Sequence, residues 1–161
     1  MTSNRIHNDD FYMVIADDYA EFYSGCQKVK VGCCIVKNNH IIGLGANRSM
    51  PNICSREGCL RVALYGNDDK THRDPSDCRA IHSEIDALAD CASSTESTEG
   101  ATVYVTRYPC EACARALVSA KVSRVVYGRK QEISLQTQNI FNQAGCSVYH
   151  AKDWNKPDKT N

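Results

Sequence analysis

No apolar run in these 161 residues is long enough to cross a bilayer as a helix, which takes about 20. The opening stretch, M-T-S-N-R-I-H-N-D-D, lacks the basic-then-apolar pattern of a secretory signal. Charge of one sign is also missing. The 19 Lys and Arg balance the 19 Asp and Glu, so the net charge is zero. Without a basic excess there is no broad electrostatic footprint for nucleic acid or an anionic membrane. Internal repeats and low-complexity tracts are absent, and the length suits one domain able to bury a core. These absences predict a single soluble, cytoplasmic domain over residues 1–161, with 1–9 and 152–161 flexible.

Cysteine, by contrast, is abundant: the chain has 10. In a short secreted protein that count would suggest disulfides. Here the cysteines stand near histidine and in C-x-x-C, with no secretion signal, so metal binding fits better. The chemistry gathers in residues 78–113. There C-R-A-I-H-S-E-I-D-A-L-A-D is followed, after a polar gap, by T-V-Y-V-T-R-Y-P-C-E-A-C-A-R-A-L. His82 and Glu84 make H-x-E, and Cys110 and Cys113 make P-C-x-x-C.

A catalytic zinc takes three protein ligands and keeps a fourth place open. His82, Cys110 and Cys113 supply one imidazole and two thiolates. The two cysteines lie three apart at a helix start, so they face one point, and the helix N-terminus favours their thiolates. Glu84 is the proton carrier beside the metal. A structural zinc site would need a fourth Cys or His and would leave Glu84 without a role, so the spacing favours catalysis.

Periodicity places these residues on a scaffold. Phe11, Ile15 and Phe22 predict a helix over 10–24, stopped by Gly25. V-G-C-C-I-V at 31–36 and H-I-I-G-L-G-A at 40–46 predict a hairpin. Residues 47–81 form a long irregular insertion with one short helix at 59–65. Helices follow at 83–93, 110–120 and 134–144, alternating with strands at 102–106, 122–127 and 146–150. Such alternation predicts β-α-β units with parallel strands. Cys33, Cys34, Cys91 and Cys146 fall on core positions, while Arg107 and Arg129 are expected at the surface, with contact to a phosphate as the alternative.

H-x-E with P-C-x-x-C is the signature of the zinc nucleobase deaminases. Over residues 26–149 the chain resembles the cytidine-deaminase-like superfamily, and within it the deoxycytidylate (dCMP) deaminases. V-G-C-C-I-V with I-I-G-L-G-A-N is similar to the family's first hairpin, and M-P-N-I-C-S at 50–55 to the loop after it. G-A-T-V-Y-V-T-R-Y-P-C-E-A-C-A at 100–114 is similar to its strand and metal helix.

The resemblance implies an α/β/α sandwich with a five-stranded mixed sheet, a bound zinc ion (Zn2+), and hydrolysis of dCMP to dUMP and ammonia that feeds thymidylate synthesis. It implies that Asn47 holds the sugar, that the Ser83 backbone and Glu84 read the cytosine edge, and that the chain forms homo-oligomers such as hexamers. Tyr108 is either a stacking platform for the base or packing against the insertion. Some relatives hold a second, structural zinc. Cys26, Cys54 and His72 match its positions, with Cys78 or Cys59 as the fourth ligand.

Two motifs depart from the family pattern. G-Y-N-G reads G-A-N-R, with Ala46 for an aromatic and Arg48 for a glycine, and H-A-E-x-N-A reads H-S-E-I-D-A, which introduces Asp86. An acid near the substrate phosphate is unfavourable, and Arg48 is the residue that would offset it. Two rival readings are a deaminase of another nucleoside, nucleotide or tRNA base, and a non-catalytic zinc domain that binds nucleotide. Neutral charge opposes tRNA, and an intact Glu84 opposes the second.

Overall fold

The computed structural model describes residues 3–50, 53–66, 78–129 and 133–151. The sheet starts from a tight hairpin. Asn38 and Asn39 both take positive φ, 50° and 65°. Two-residue turns whose twist matches that of the strands need this conformation, and asparagine tolerates it. Strand β1 (Gly32–Lys37) thereby pairs antiparallel with β2 (His40–Ala46). On its other edge β1 pairs antiparallel with β3 (Thr102–Arg107). Strands β4 (Arg124–Arg129) and β5 (Ser147–His150) then add in parallel. The order is β2-β1-β3-β4-β5, the five-stranded mixed sheet that was expected.

Successive strand residues face opposite sides of the sheet. Cys34, Val36, Tyr104 and Val126 face helix α1 (Ser3–Tyr23) through Met13 and Ala16. Cys33, Ile35, Val103, Val105 and Val125 face the other way. They meet Ala87 and Cys91 of α4 (Ser83–Ala92), Ala114 and Leu117 of α5 (Glu111–Ser119), and Phe141 of α6 (Leu135–Gln143). The result is the α/β/α sandwich. Burial pushes the Cys34 thiol up to about 12, and the Cys91 and Cys146 thiols to about 11, so these are inert core residues.

Three local expectations change. α1 begins at Ser3, although residues 1–9 read as flexible. Asp9 explains the difference: its carboxylate accepts from the Arg124 guanidinium at 2.9 and 2.6 Å and from the Tyr104 hydroxyl at 2.8 Å. Arg129 is buried at the end of β4 and pairs with Asp17 of α1 at 3.3 Å, so it is no surface arginine. β4 starts at Arg124 because Lys121 turns at φ 60° and the Val122 amide bonds to the Leu117 carbonyl at 3.3 Å. Within the insertion, α2 (Ile53–Glu57) and α3 (Leu60–Tyr65) are formed, while 67–77 lies outside the described residues, as does 152–161. No described helix is long and apolar enough to cross a membrane.

The contact that positions the site is α4 against β2. β2 is an edge strand, and Gly43 and Gly45 give it no side chain on the α4 side. A Cβ at Gly45 would sit on the backbone of Ser83 and Ala87, and one at Gly43 would meet the Ala87 carbonyl and the Cys91 sulfur. The edge donors of β2 are also used. The Leu44 amide donates to Asp90 at 2.9 Å and the Ala46 amide to Asp86 at 3.0 Å. Two carboxylates one helical turn apart thus satisfy two alternate strand amides.

Candidate active site

Each half of the sequence motif opens a helix. His82 is the N-cap of α4 and Cys110 the N-cap of α5, both with extended backbone. An N-cap side chain ordinarily accepts a hydrogen bond from an amide two or three residues on. Neither side chain does so here. They turn toward each other instead. His82 Nδ1 lies 3.5 Å from Cys110 Sγ and 3.4 Å from Cys113 Sγ. Tetrahedral zinc with ordinary bond lengths separates its nitrogen and sulfur ligands by roughly 3.6 Å, so the donor set fits that ion. Among the described residues, this is the group of three metal-ligating side chains that converges, with all donor atoms within 4.8 Å.

The electrostatics show what the three groups lack. The Cys113 thiol donates to Cys110, and with His82 this lowers the Cys110 thiol to about 4. Cys113, which keeps that proton and is also buried near Glu84, is pushed up. The pair therefore shares one proton, and a bound cation is what would stabilise both thiolates. His82 is raised by its hydrogen bond to Cys110. Glu84 is 5% exposed, and burial raises its carboxyl above the ordinary range. The Ser83 hydroxyl donates to Glu84 Oε2 at 3.1 Å and holds it in place.

Residues 6–129 match the family model described as the cytidine and deoxycytidylate deaminase zinc-binding region. The chain belongs to this family. It is 34% identical over 125 residues to the deoxycytidylate deaminase of Mycobacterium phage D29, covering 76% of this chain and 94% of that one. It is 33% identical over 127 residues to ComE operon protein 2 of Bacillus subtilis, covering 78% of this chain and spanning 61% of that protein's length. In fold it is similar to the dCMP deaminase of cyanophage S-TIM5 solved with dCMP and dUMP. There the TM-score is 0.67 at 24% identity, over 93% of this chain and 98% of that one.

In this family member a cavity of about 280 Å³ opens onto His82, Ser83, Glu84 and Cys110. Asn47 lines it as well. Its Oδ1 accepts from the Ser24 hydroxyl at 2.7 Å and the Val31 amide at 2.8 Å, and its Nδ2 donates to the Val29 carbonyl at 2.8 Å. A primary amide has two N–H donors, so one remains for a ligand. Ser24, which fixes Asn47, carried no sequence signal beyond its place beside Gly25. Tyr108 lines the cavity too, but its ring packs edge-on against Tyr127 with centroids 4.8 Å apart and is 4% exposed. It forms a wall.

The candidates for a second zinc are described only in part. Cys26, Cys59 and Cys78 line the same cavity, whereas Cys54 is buried in α2, where its amide donates to the Ser49 hydroxyl at 2.8 Å. Cys26, Cys54 and Cys78 form no metal-ligating triad among the described residues, and His72 lies outside them.

Arg48 and Asp86, two of the departures from the family pattern, touch each other. Arg48 Nε is 3.1 Å from Asp86 Oδ2, and a second guanidinium nitrogen is 3.1 Å from Oδ1. Arg48 does not line the cavity. Its backbone instead bridges to Ile81, the residue before His82, through hydrogen bonds of 2.8 and 3.2 Å. The pair locks the Asn47 segment to the start of α4.

Two outcomes follow from this geometry. In zinc-free protein at about pH 5, Cys110 should be the first cysteine alkylated by iodoacetamide. Its thiolate persists down to about pH 4, whereas an ordinary thiol is protonated there. Peptide mass mapping reads the order, and added zinc should protect Cys110 and Cys113 together. Equal labelling of Cys26, Cys59 and Cys78 would contradict the assigned thiolate. Separately, a double-mutant cycle of Arg48→Gln and Asp86→Asn should give a coupling of about 0.5–3 kcal/mol in denaturant unfolding. A coupling of zero would show that the pair holds nothing.

Proposed function

We propose that this chain hydrolyses dCMP to dUMP and ammonia. The observation that carries the reading is a buried carboxylate, Glu84, in one cavity with His82 and Cys110 and beside Cys113. The named activity of the phage D29 relative, which the chain matches along most of both lengths, supports the choice of substrate.

His82, Cys110 and Cys113 would hold the zinc. When bound, it supplies a Lewis acid that brings the pKa of water to about 7. Glu84 takes a proton from the water that adds to C4 of the base, and delivers it to the ring N3. It then passes the second proton to the departing amine as the C4–N bond breaks. The Ser83 hydroxyl keeps Glu84 Oε2 aimed during both transfers. The remaining Asn47 Nδ2 hydrogen serves the sugar. The packed wall that includes Tyr108 limits how much water reaches the base.

The chain is also proposed to assemble with copies of itself. α1 exposes Phe11, Phe22 and Tyr23, at 56, 82 and 53%, which a second copy would cover. Light scattering that reads a monomer at assay concentration would refute this.

The activity is tested with a panel of dCMP, dCTP, deoxycytidine and CMP, scored by ammonia release. The parent should favour dCMP. Glu84→Gln should lower kcat by about 10²–10⁴-fold and keep its metal. No turnover of dCMP, or full activity in Glu84→Gln, would overturn the reading. Among the described residues one triad converges, so metal analysis of the same samples should give at least one zinc per chain. Two per chain would support the further set of Cys26, Cys54, His72 and Cys78.

A further inference from the structure

Tyr108 is the single aromatic side chain among the described residues that line the candidate catalytic cavity. It also lines a second cavity, of about 240 Å³, with Tyr127, Phe141 and Val148 among its other walls. One side chain therefore borders both spaces. It is held by a neighbour that takes no part in the first cavity: the Tyr108 ring meets Tyr127 edge-on, with centroids 4.8 Å apart. Tyr127 lies in β4, and its ring is 5.1 Å from that of His150 at the end of β5. Close packing normally denies a buried side chain room to shift. Tyr108 is only 4% exposed, yet it has open space beside it in the second cavity.

The deaminase reading above, on which this inference rests, fixes how the base sits. C4 lies beside His82, Cys110 and Cys113, N3 lies beside Glu84, and N1 carries the sugar toward Asn47. C5 is the other ring neighbour of C4, so it is turned away from Glu84. Glu84 comes from α4, whereas Tyr108 stands two residues before Cys110 in the connection from β3 to α5. We propose that Tyr108 limits the size of a substituent at C5 of the base, and that Tyr127 sets that limit by holding the Tyr108 ring in place. Tyr108 is then a specificity-determining residue, and Tyr127 a positioning residue that acts through it. With a smaller side chain at 127, the Tyr108 ring gains space to withdraw, and the catalytic cavity gains room at C5. A fitted apolar wall distinguishes ligands that differ by one carbon by about 10–200-fold.

The test is calorimetric titration of the zinc-loaded chain with dUMP and with 5-iodo-dUMP, which differ only at C5. The parent should bind dUMP at least about tenfold tighter. Tyr108→Leu and, separately, Tyr127→Leu should each shrink that ratio several-fold, while Tyr127→Phe, which keeps the ring, should hold it at the parent value. General loss of packing weakens both ligands alike, so the ratio separates a size limit from a structural role. Where one leucine variant fails to fold, the other carries the test. Equal affinity for the two ligands in the parent, or binding of neither, would overturn the proposal. A ratio unchanged in Tyr108→Leu would overturn the wall, and one unchanged in Tyr127→Leu would overturn the positioning role.

The readout needs no turnover, so the two readings fail separately. A size limit at C5 without deamination of dCMP keeps the wall and removes the proposed reaction. Deamination of dCMP with no dependence on the group at C5 does the reverse.

Discussion

The close seating of α4 on the edge strand β2 is the constraint on which the site depends. Two glycines, Gly43 and Gly45, let the helix backbone approach the strand. Two carboxylates, Asp86 and Asp90, then take the strand amides of Ala46 and Leu44. The spacing works because four helical residues rise about 6 Å and two strand residues span about 6.8 Å. An edge strand with open donors is a liability for misplaced pairing, and here the helix covers it. The same contact delivers His82, Ser83 and Glu84 to the end of β2, beside Asn47. Catalytic placement and edge protection are one packing event.

A second constraint is electrostatic. Glu84, Cys110 and Cys113 bring three acids together around one imidazole, and two of them are buried. Buried like charges are unfavourable, so without a cation the site keeps protons: one shared by the thiols, and one held by Glu84 more tightly than an exposed carboxyl would hold it. The sign for stability follows. The folded chain binds the Glu84 proton better than the unfolded chain does. That contribution is present below the ordinary value of 4.5 and is lost as pH rises through the raised folded value. Glu84 is therefore costly to the fold at neutral pH, which fits a residue kept for chemistry.

What the sequence revealed follows from how local each signal is. The metal triad was legible because H-x-E and C-x-x-C fix their own geometry at helix starts. The strands were legible by length and β-branching, and the Asn38–Asn39 turn by residue type. Long-range pairs were not. Nothing near Asp9 announces Arg124, 115 residues away, and nothing near Asp17 announces Arg129, 112 residues away. Those two pairs explain why α1 starts early and why a nominal surface arginine is buried. Lys28 and Arg61 were equally hidden, because they meet Arg107 only once a loop, a short helix and a strand end share a cavity. Cysteine spacing across the insertion suggested a second metal site, but loop spacing does not fix distance, and one of its candidates, His72, lies outside the described residues.

Arg48 and Asp86 carry this point furthest. As separate departures from the family pattern, each seemed to alter the substrate site, one adding a positive charge and the other a negative one. In the fold they pair at 3.1 Å, and neither is among the residues that line the cavity. The two charges therefore offset each other. Asp86 has a different use: it closes the Ala46 amide and the Arg48 guanidinium onto α4, where a neutral side chain could satisfy only part of that set. The charges of Arg48 and Asp86 are thus used in seating α4, while the cations among the described cavity-lining residues, Lys28, Arg61 and Arg107, come from a loop, a short helix and a strand end.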